Sequence, residues 1–233
     1  MIPFFRKIRK KMANDNKPLQ YIRYAIGEIV LVVIGILIAL SVNNWNNHRI
    51  EKNEINNILN TISTNLKADI DALDFEIEDG TKLMSYWERL LADTDNDSLS
   101  SLFIKNITIR FIPVDNGGYS NALANNKLRL VKSSTVKSGI VSYYGIDLAT
   151  TSRFPRYLLD LVNDLTLLAI EKSMEVENKN TFGERMSVVL KDPSFIEMTN
   201  SYMRLYTIIL DALKERKSKA ETLLADIEFE LNR

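Results

Sequence analysis

The 233 residues leave room for one or two domains. They include no cysteine and a single histidine, His48. Disulfide frameworks, cysteine metal sites and thiol catalysis are thereby excluded, and histidine-based catalysis has almost no material to draw on. The formal charge of zero averages two unlike regions. Residues 1–24 carry Arg6, Lys7, Arg9, Lys10, Lys11, Lys17 and Arg23 against Asp15 alone, whereas residues 43–233 hold 23 bases against 28 acids. A main domain of net negative charge does not fit nucleic acid as a partner, because phosphate binding draws on clustered Lys and Arg.

Residues 25–42, AIGEIVLVVIGILIALSV, carry one charge in 18 positions. At about 1.5 Å per residue a helix of that length reaches about 27 Å, close to the thickness of a bilayer core. Tyr21 and Trp45 flank the run, where amphipathic rings settle at membrane interfaces. A transmembrane helix is expected, in preference to a buried core helix or a cleaved signal peptide. The seven bases before it outnumber Arg49 and Lys52 after it, which are offset by Glu51 and Glu54, so the N-terminus is expected inside. Gly27, Leu31, Gly35 and Ala39 recur every four residues beside Glu28. Gly27, Glu28, Gly35 and Ala39 are therefore the predicted helix-packing residues of the span, since small residues permit close approach and an intramembrane acid marks a candidate site.

The N-terminal pattern FFRKIRKK followed by YAIGEIVLVVIGILIALSVNNWN resembles the opening of the bacterial domain-of-unknown-function family 6090, common in the Bacteroidetes. The resemblance is specific over residues 3–47, where Gly27, Glu28, Gly35 and the Asn-Asn-Trp-Asn exit fall in the family's order. It is looser over residues 119–144, where Asn125 and Asn126 stand in place of a common serine and glycine. The resemblance implies an inner-membrane anchor with a periplasmic helical domain in a Gram-negative cell, and no activity.

Beyond the span, Ile55, Ile58, Ile62, Leu66, Ile70, Leu73 and Ile77 recur at helical spacing, and Leu83, Trp87, Leu90 and Leu91 resume the pattern past Gly80. One long helix, or two nearly coaxial ones, is predicted to about Ala92. Residues 93–98, DTDNDS, place oxygen ligands at alternating positions but lack the glycine and bidentate glutamate of a calcium loop, so a polar linker is expected, with Asp97 or Ser98 capping a short helix. Residues 106–126 form an irregular insert: Ile107, Ile109, Phe111 and Pro113 suit an extended stretch, and Asp115, Asn116, Gly117 and Gly118 signal a turn. Ser133 and Ser134 suit the cap of a helix to about Tyr144. A longer helix is predicted over residues 153–178 with Leu158, Leu161, Leu165, Leu168 and Met174 inward. Asp192-Pro193-Ser194 starts the last helix, which carries Ile196, Met203, Tyr206, Ile209, Leu213, Ala220, Leu224 and Ile227. The predicted fold is all-α: one N-terminal transmembrane helix (25–42) after a basic tail (1–24), continuing into an antiparallel, roughly four-helix bundle (43–233). The first and last long helices pair in it, and the middle ones cover them.

Loops on a rigid scaffold often carry function, which makes Arg110, Asn116, Tyr119, Arg129, Tyr143 and Tyr144 the candidate recognition patch; the bland reading packs the tyrosines against the bundle and leaves the arginines in solvent. The acidic run of Asp69, Asp71, Asp74, Glu76, Glu78 and Asp79 is expected on outer, solvated faces rather than as a catalytic pair. Ser134 and Lys137 share the spacing of a Ser-Lys dyad without a partner motif. No catalysis, cofactor or metal is expected. The expected function is an anchored periplasmic interaction module, a scaffold or accessory subunit that meets the lipid bilayer and a protein partner or a second copy through the span or bundle. The alternative is a ligand-sensing four-helix domain that signals through a separate membrane partner, because neither a second span nor a cytoplasmic output domain is expected.

Overall fold

The computed structural model of the chain describes residues 18–107, 116–145 and 154–232. Those residues are helical and turn, with no strand among them. The predicted extended stretch over Ile109, Phe111 and Pro113 lies outside the described residues. Contacts divide the chain into two units, Met1–Glu54 and Ile55–Arg233, and each is described by itself.

Helix α1 (Pro18–Ala92) supplies all the described structure of the first unit. Its most apolar 18-residue window has a mean hydropathy of 2.7, and none of that window is buried. Ile26, Ile29, Leu31, Ile34, Leu37 and Ile38 all point outward, so the helix is apolar around its whole circumference. Its one hydroxyl near the end, on Ser41, donates to the Leu37 carbonyl at 2.8 Å and is satisfied within the helix.

The second unit is built on α1 from Ile55 onward and on the last helix, α8 (Pro193–Leu231). The inward residues of α1 are Leu59, Ile62, Leu66, Asp69, Leu73, Gly80, Leu83, Trp87 and Leu90, with Glu76 half-buried between Leu73 and Gly80. Their spacing alternates between three and four residues, the seven-residue repeat that keeps one seam facing a partner helix. On α8 the matching positions are Phe195, Thr199, Tyr202, Tyr206, Leu210, Arg216, Ala220, Leu223 and Ile227. The two helices run antiparallel: Trp87 meets Tyr202 at 5.3 Å between ring centroids, Lys217 Nζ lies 2.5 Å from Asp74, and Lys67 Nζ lies 2.8 Å from Glu228. The ion pairs lie at the solvent-facing margin of the seam, with Lys217 half-buried and the other three groups exposed, and contribute little; they mark the register that the apolar seam sets.

Between these helices the chain forms α2 (Asp97–Ser101), α3 (Phe103–Asn106), α4 (Gly117–Ala124), a 3₁₀ turn (Lys127–Leu130), α5 (Ser134–Gly145), α6 (Phe154–Glu175) and α7 (Phe182–Val189). They cover the α1–α8 seam in two groups rather than as two parallel helices. One core joins Leu83, Trp87 and Leu90 to Phe103, Leu158, Leu165, Met186, Phe195 and Tyr202, so α2, α3, α6 and α7 close that end. The other joins Leu59, Ile62 and Leu66 to Tyr119, Val136, Ile140, Tyr144, Leu223 and Ile227, so α4 and α5 close the opposite one.

Local chemistry accounts for the boundaries. Asp192 accepts from the Ser194 and Phe195 amides at 2.9 and 3.3 Å, with Pro193 as the first helical residue. The Ser133 hydroxyl accepts from the Val136 amide at the start of α5. Three expectations shift. Asn96, not Asp97 or Ser98, caps α2, its side chain accepting from the Leu99 amide at 3.1 Å. Gly117 and Gly118 open helix α4 instead of ending in a turn, and Gly118 brings that helix against Thr61 and Ile62. Met174 is 79% exposed, because the inward face of α6 runs through Leu158, Val162, Leu165, Ala169 and Ser173 and Met174 stands about 100° off it.

Gly80 lies inside the seam. A Cβ there would sit 2.6 Å from Leu210 Cδ2 and 3.1 Å from Tyr206 Cε1, so the residue is glycine for close approach of α1 to α8. Gly80→Val is expected to lower stability by about 1–3 kcal/mol through overpacking. Gly80→Ala costs less, because the Leu210 terminus can turn aside and alanine regains about 1 kcal/mol of helix propensity. Urea midpoints of the detergent-solubilised protein, followed by circular dichroism, measure both.

Candidate functional site

Three polar residues from three helices meet inside the second unit: Asp69 on α1, Tyr143 on α5 and Arg216 on α8. They are 4%, 3% and 8% exposed, respectively. The Tyr143 hydroxyl donates to Asp69 Oδ2 at 2.9 Å, and Arg216 Nε donates to the same hydroxyl oxygen at 3.4 Å. The guanidinium carbon also lies 5.3 Å from the centre of the Tyr143 ring, within reach of the attraction between a cation and an aromatic face. Donation therefore runs from guanidinium to phenol to carboxylate.

Each member is there because its helix requires that position to face inward. Asp69 falls between Leu66 and Leu73 in the three-four alternation of α1, and Arg216 lies one turn before Ala220 on the inward face of α8. Tyr143 follows Ile140 on the buried face of α5. Moving a carboxylate and a guanidinium out of water costs several kcal/mol per ion, so the arrangement holds only with its hydrogen bonds made. Burial pushes the Tyr143 phenol well above its ordinary range, against a smaller lowering by Arg216, and the Asp69 carboxylate reinforces the rise. Tyr143 is thus held protonated and serves as a donor, not as a base.

The residues that the sequence singled out separate here. Tyr119, Tyr143 and Tyr144 come together: the Tyr119 and Tyr144 rings stack at 5.1 Å with 9° between planes, and Tyr143 meets Tyr144 edge-on at 4.8 Å. All three are buried. Asn116 is half-buried before α4, Arg129 is exposed on the 3₁₀ turn, and Arg110 lies outside the described residues. Gly27, Glu28, Gly35 and Ala39 lie on α1 in the first unit, and among the described residues nothing beyond the helix's own neighbouring backbone comes within 4 Å of where a Cβ would stand at Gly27 or Gly35. Of the acidic run, Asp71, Asp74 and Glu78 face solvent, and Asp69 departs from the expected outer face because it occupies a seam position. Asp69 and Arg216 were not legible as site residues by type. Their signal is positional, a charge at a place the heptad reserves for an apolar side chain.

A family described as "Family of unknown function (DUF6090)" matches residues 28–211, 184 of the 233. The protein belongs to that family. The match begins inside the apolar run of α1 and extends into α8, so the family unit includes the exposed helix as well as most of the bundle, with Asp69 and Tyr143 inside it. No curated protein and no solved structure matches the chain.

Arg216→Met is expected to cost about 3–5 kcal/mol, since it leaves a buried carboxylate without its cation. Tyr143→Phe is expected to cost about 1–3 kcal/mol for the lost donor and acceptor. Denaturant unfolding of the two variants and their double mutant checks both values, and the double mutant should fall short of their sum because the groups share one network. Alkali gives a third test. Tyr86, Tyr143 and Tyr202 all have phenols raised from 10.0 by burial, so an unfolded chain loses these protons first as pH rises. The stability they contribute is intact below about pH 10 and drains away as pH climbs past it. Tyr143→Phe should flatten the decline measured by urea unfolding between about pH 9 and 12.

Proposed function

We propose that the protein is a membrane-anchored helical interaction module, a scaffold or accessory subunit of an inner-membrane complex. Its basic N-terminus lies in the cytoplasm and its bundle in the periplasm. The observation that carries this reading is the apolar helix face of residues 25–42, exposed all round, with a mean hydropathy of 2.7 over its most apolar window. Exposed apolar surface of that extent is stable in lipid, where the helix satisfies its own backbone groups. The excess of Arg and Lys before the run favours the inside orientation.

The second unit supports a structural rather than a ligand-sensing role. Tyr119, Tyr143 and Tyr144, the aromatics best suited to a small-molecule surface, are spent on one another and on the buried polar triad. Association is assigned to the small-residue face of the span, where Gly27, Gly35 and Ala39 allow a second helix to approach closely and Glu28 flanks the contact.

The absence of native cysteine makes this testable by single substitutions. In cell membranes, the full chain carrying Ala39→Cys should form oxidative crosslinks, to a second copy or to a partner that carries a cysteine on the facing helix. Val33→Cys, on the opposite helix face, should form few. Gly35→Leu added to Ala39→Cys should suppress the product. Equal crosslinking from both faces, unchanged by Gly35→Leu, would defeat the assignment.

A further inference from the structure

The geometry points to Trp45 and Arg49 as a lipid-headgroup clamp at the end of the apolar run, the guanidinium bound to a phospholipid phosphate and the indole seated beside the glycerol region. The inference rests on the anchor reading above and adds to it a specific lipid contact.

Trp45 is 65% exposed although it is one of only two tryptophans in the chain, and the other, Trp87, is fully buried. The Arg49 guanidinium carbon lies 5.5 Å from the Trp45 ring centre, one helical turn further on. One of its nitrogens donates to Asn46 Oδ1 at 3.4 Å, which turns the side chain back along the helix toward the ring. A guanidinium has five N–H donors in a planar fork that matches phosphate oxygens, so this internal bond leaves donors for an anion. The neighbouring acid Glu51 lies 3.8 Å from the His48 imidazole.

The position along the helix fits the same reading. Ser41, the last hydroxyl of the run, is satisfied by its own backbone, and the asparagines at 43, 44, 46 and 47 follow at once. The edge of the hydrocarbon therefore falls between Ser41 and Asn46. From Glu28 to Trp45 the helix rises about 25 Å, close to a core of about 30 Å. An indole has an apolar body and one N–H, the combination that settles at this boundary. A cation above its face gains more where water is partly excluded, and a long arginine stem can reach to the phosphate plane. Headgroup phosphate is the occupant because it supplies negative charge at the depth where the guanidinium sits.

The test uses the full chain reconstituted in phosphatidylcholine–phosphatidylglycerol vesicles carrying spin-labelled lipids with the label at the headgroup, shallow in the acyl chain, or deep. Trp45 emission is isolated in Trp87→Phe. Should that core substitution misfold, it is taken as the difference between the wild type and Trp45→Phe. Headgroup and shallow labels should quench Trp45 most, and aqueous acrylamide should quench it weakly. Arg49→Gln should red-shift the emission and raise acrylamide quenching, and Arg49→Lys should shift it less. In galactolipid vesicles, which lack phosphate, Arg49→Gln should match the wild type. A protein that fails to float with vesicles overturns the anchor reading and the clamp together. One that floats but shows Trp45 quenched mainly by acrylamide overturns the clamp alone. An Arg49 effect that persists in galactolipid overturns the phosphate as its ligand.

Discussion

The antiparallel contact between α1 and α8 is the constraint on which the second unit depends. Each short helix packs onto that pair, and both cores draw on residues of both long helices. An amphipathic helix of this length cannot hide its stripe alone, and a seven-residue repeat on each partner keeps the two stripes in contact over their whole overlap. Gly80 sets how close the backbones come at one point of the seam. The covering helices then follow from what remains uncovered: α4 and α5 on one stretch, α2, α3, α6 and α7 on the other.

Such a seam built only of apolar side chains would tolerate sliding by a heptad, since leucine and isoleucine are nearly interchangeable as neighbours. The Asp69–Tyr143–Arg216 layer removes that freedom. After a slip, at least one charge would face hydrocarbon without its partner, at a cost of several kcal/mol. A buried polar residue that fixes register in exchange for some stability is the best-attested use of such groups in helical assemblies. A single fixed register determines which side chains the outer surface of the bundle presents.

The sequence discloses the helical class, the long first helix and the Asp-Pro-Ser start of α8, because periodicity and caps are local signals; the insert expected over residues 106–126 is helical where it is described, over Gly117–Ala124. It discloses less of the seam. Ile70 and Ile77 suggested a stripe with strictly apolar members, yet the buried positions are Asp69, Gly80 and the half-buried Glu76; an apolar residue one place along is only partly covered. Met174 misled for a similar reason, since one residue's offset turns a side chain by about 100°. Helix α7 carries a local start signal: Thr181 and Glu184 form a capping box, with each side chain bound to the other's backbone amide. The tyrosine cluster joins residues of α4 and α5 through tertiary packing, and no spacing rule reports that two aromatics on different helices stack.

The order in which the two halves of the seam leave the ribosome is set by their places in the chain. Tyr202 is made 115 residues after the Trp87 it packs against, and Glu228 is made 161 residues after Lys67. At synthesis rates of about 5–20 residues per second, the stripe of α1 waits roughly 6 to 30 s for its partner. Helices α4 and α5 emerge earlier and can shelter Leu59, Ile62 and Leu66. The end around Trp87 receives Phe103 of α3 16 residues later, and its closing aromatics, Phe195 and Tyr202, are made before Leu223 and Ile227 of the other core. The end of the bundle around Leu59, Ile62 and Leu66 is therefore where a nascent chain stays adhesive longest, because Leu223 and Ile227 close it last.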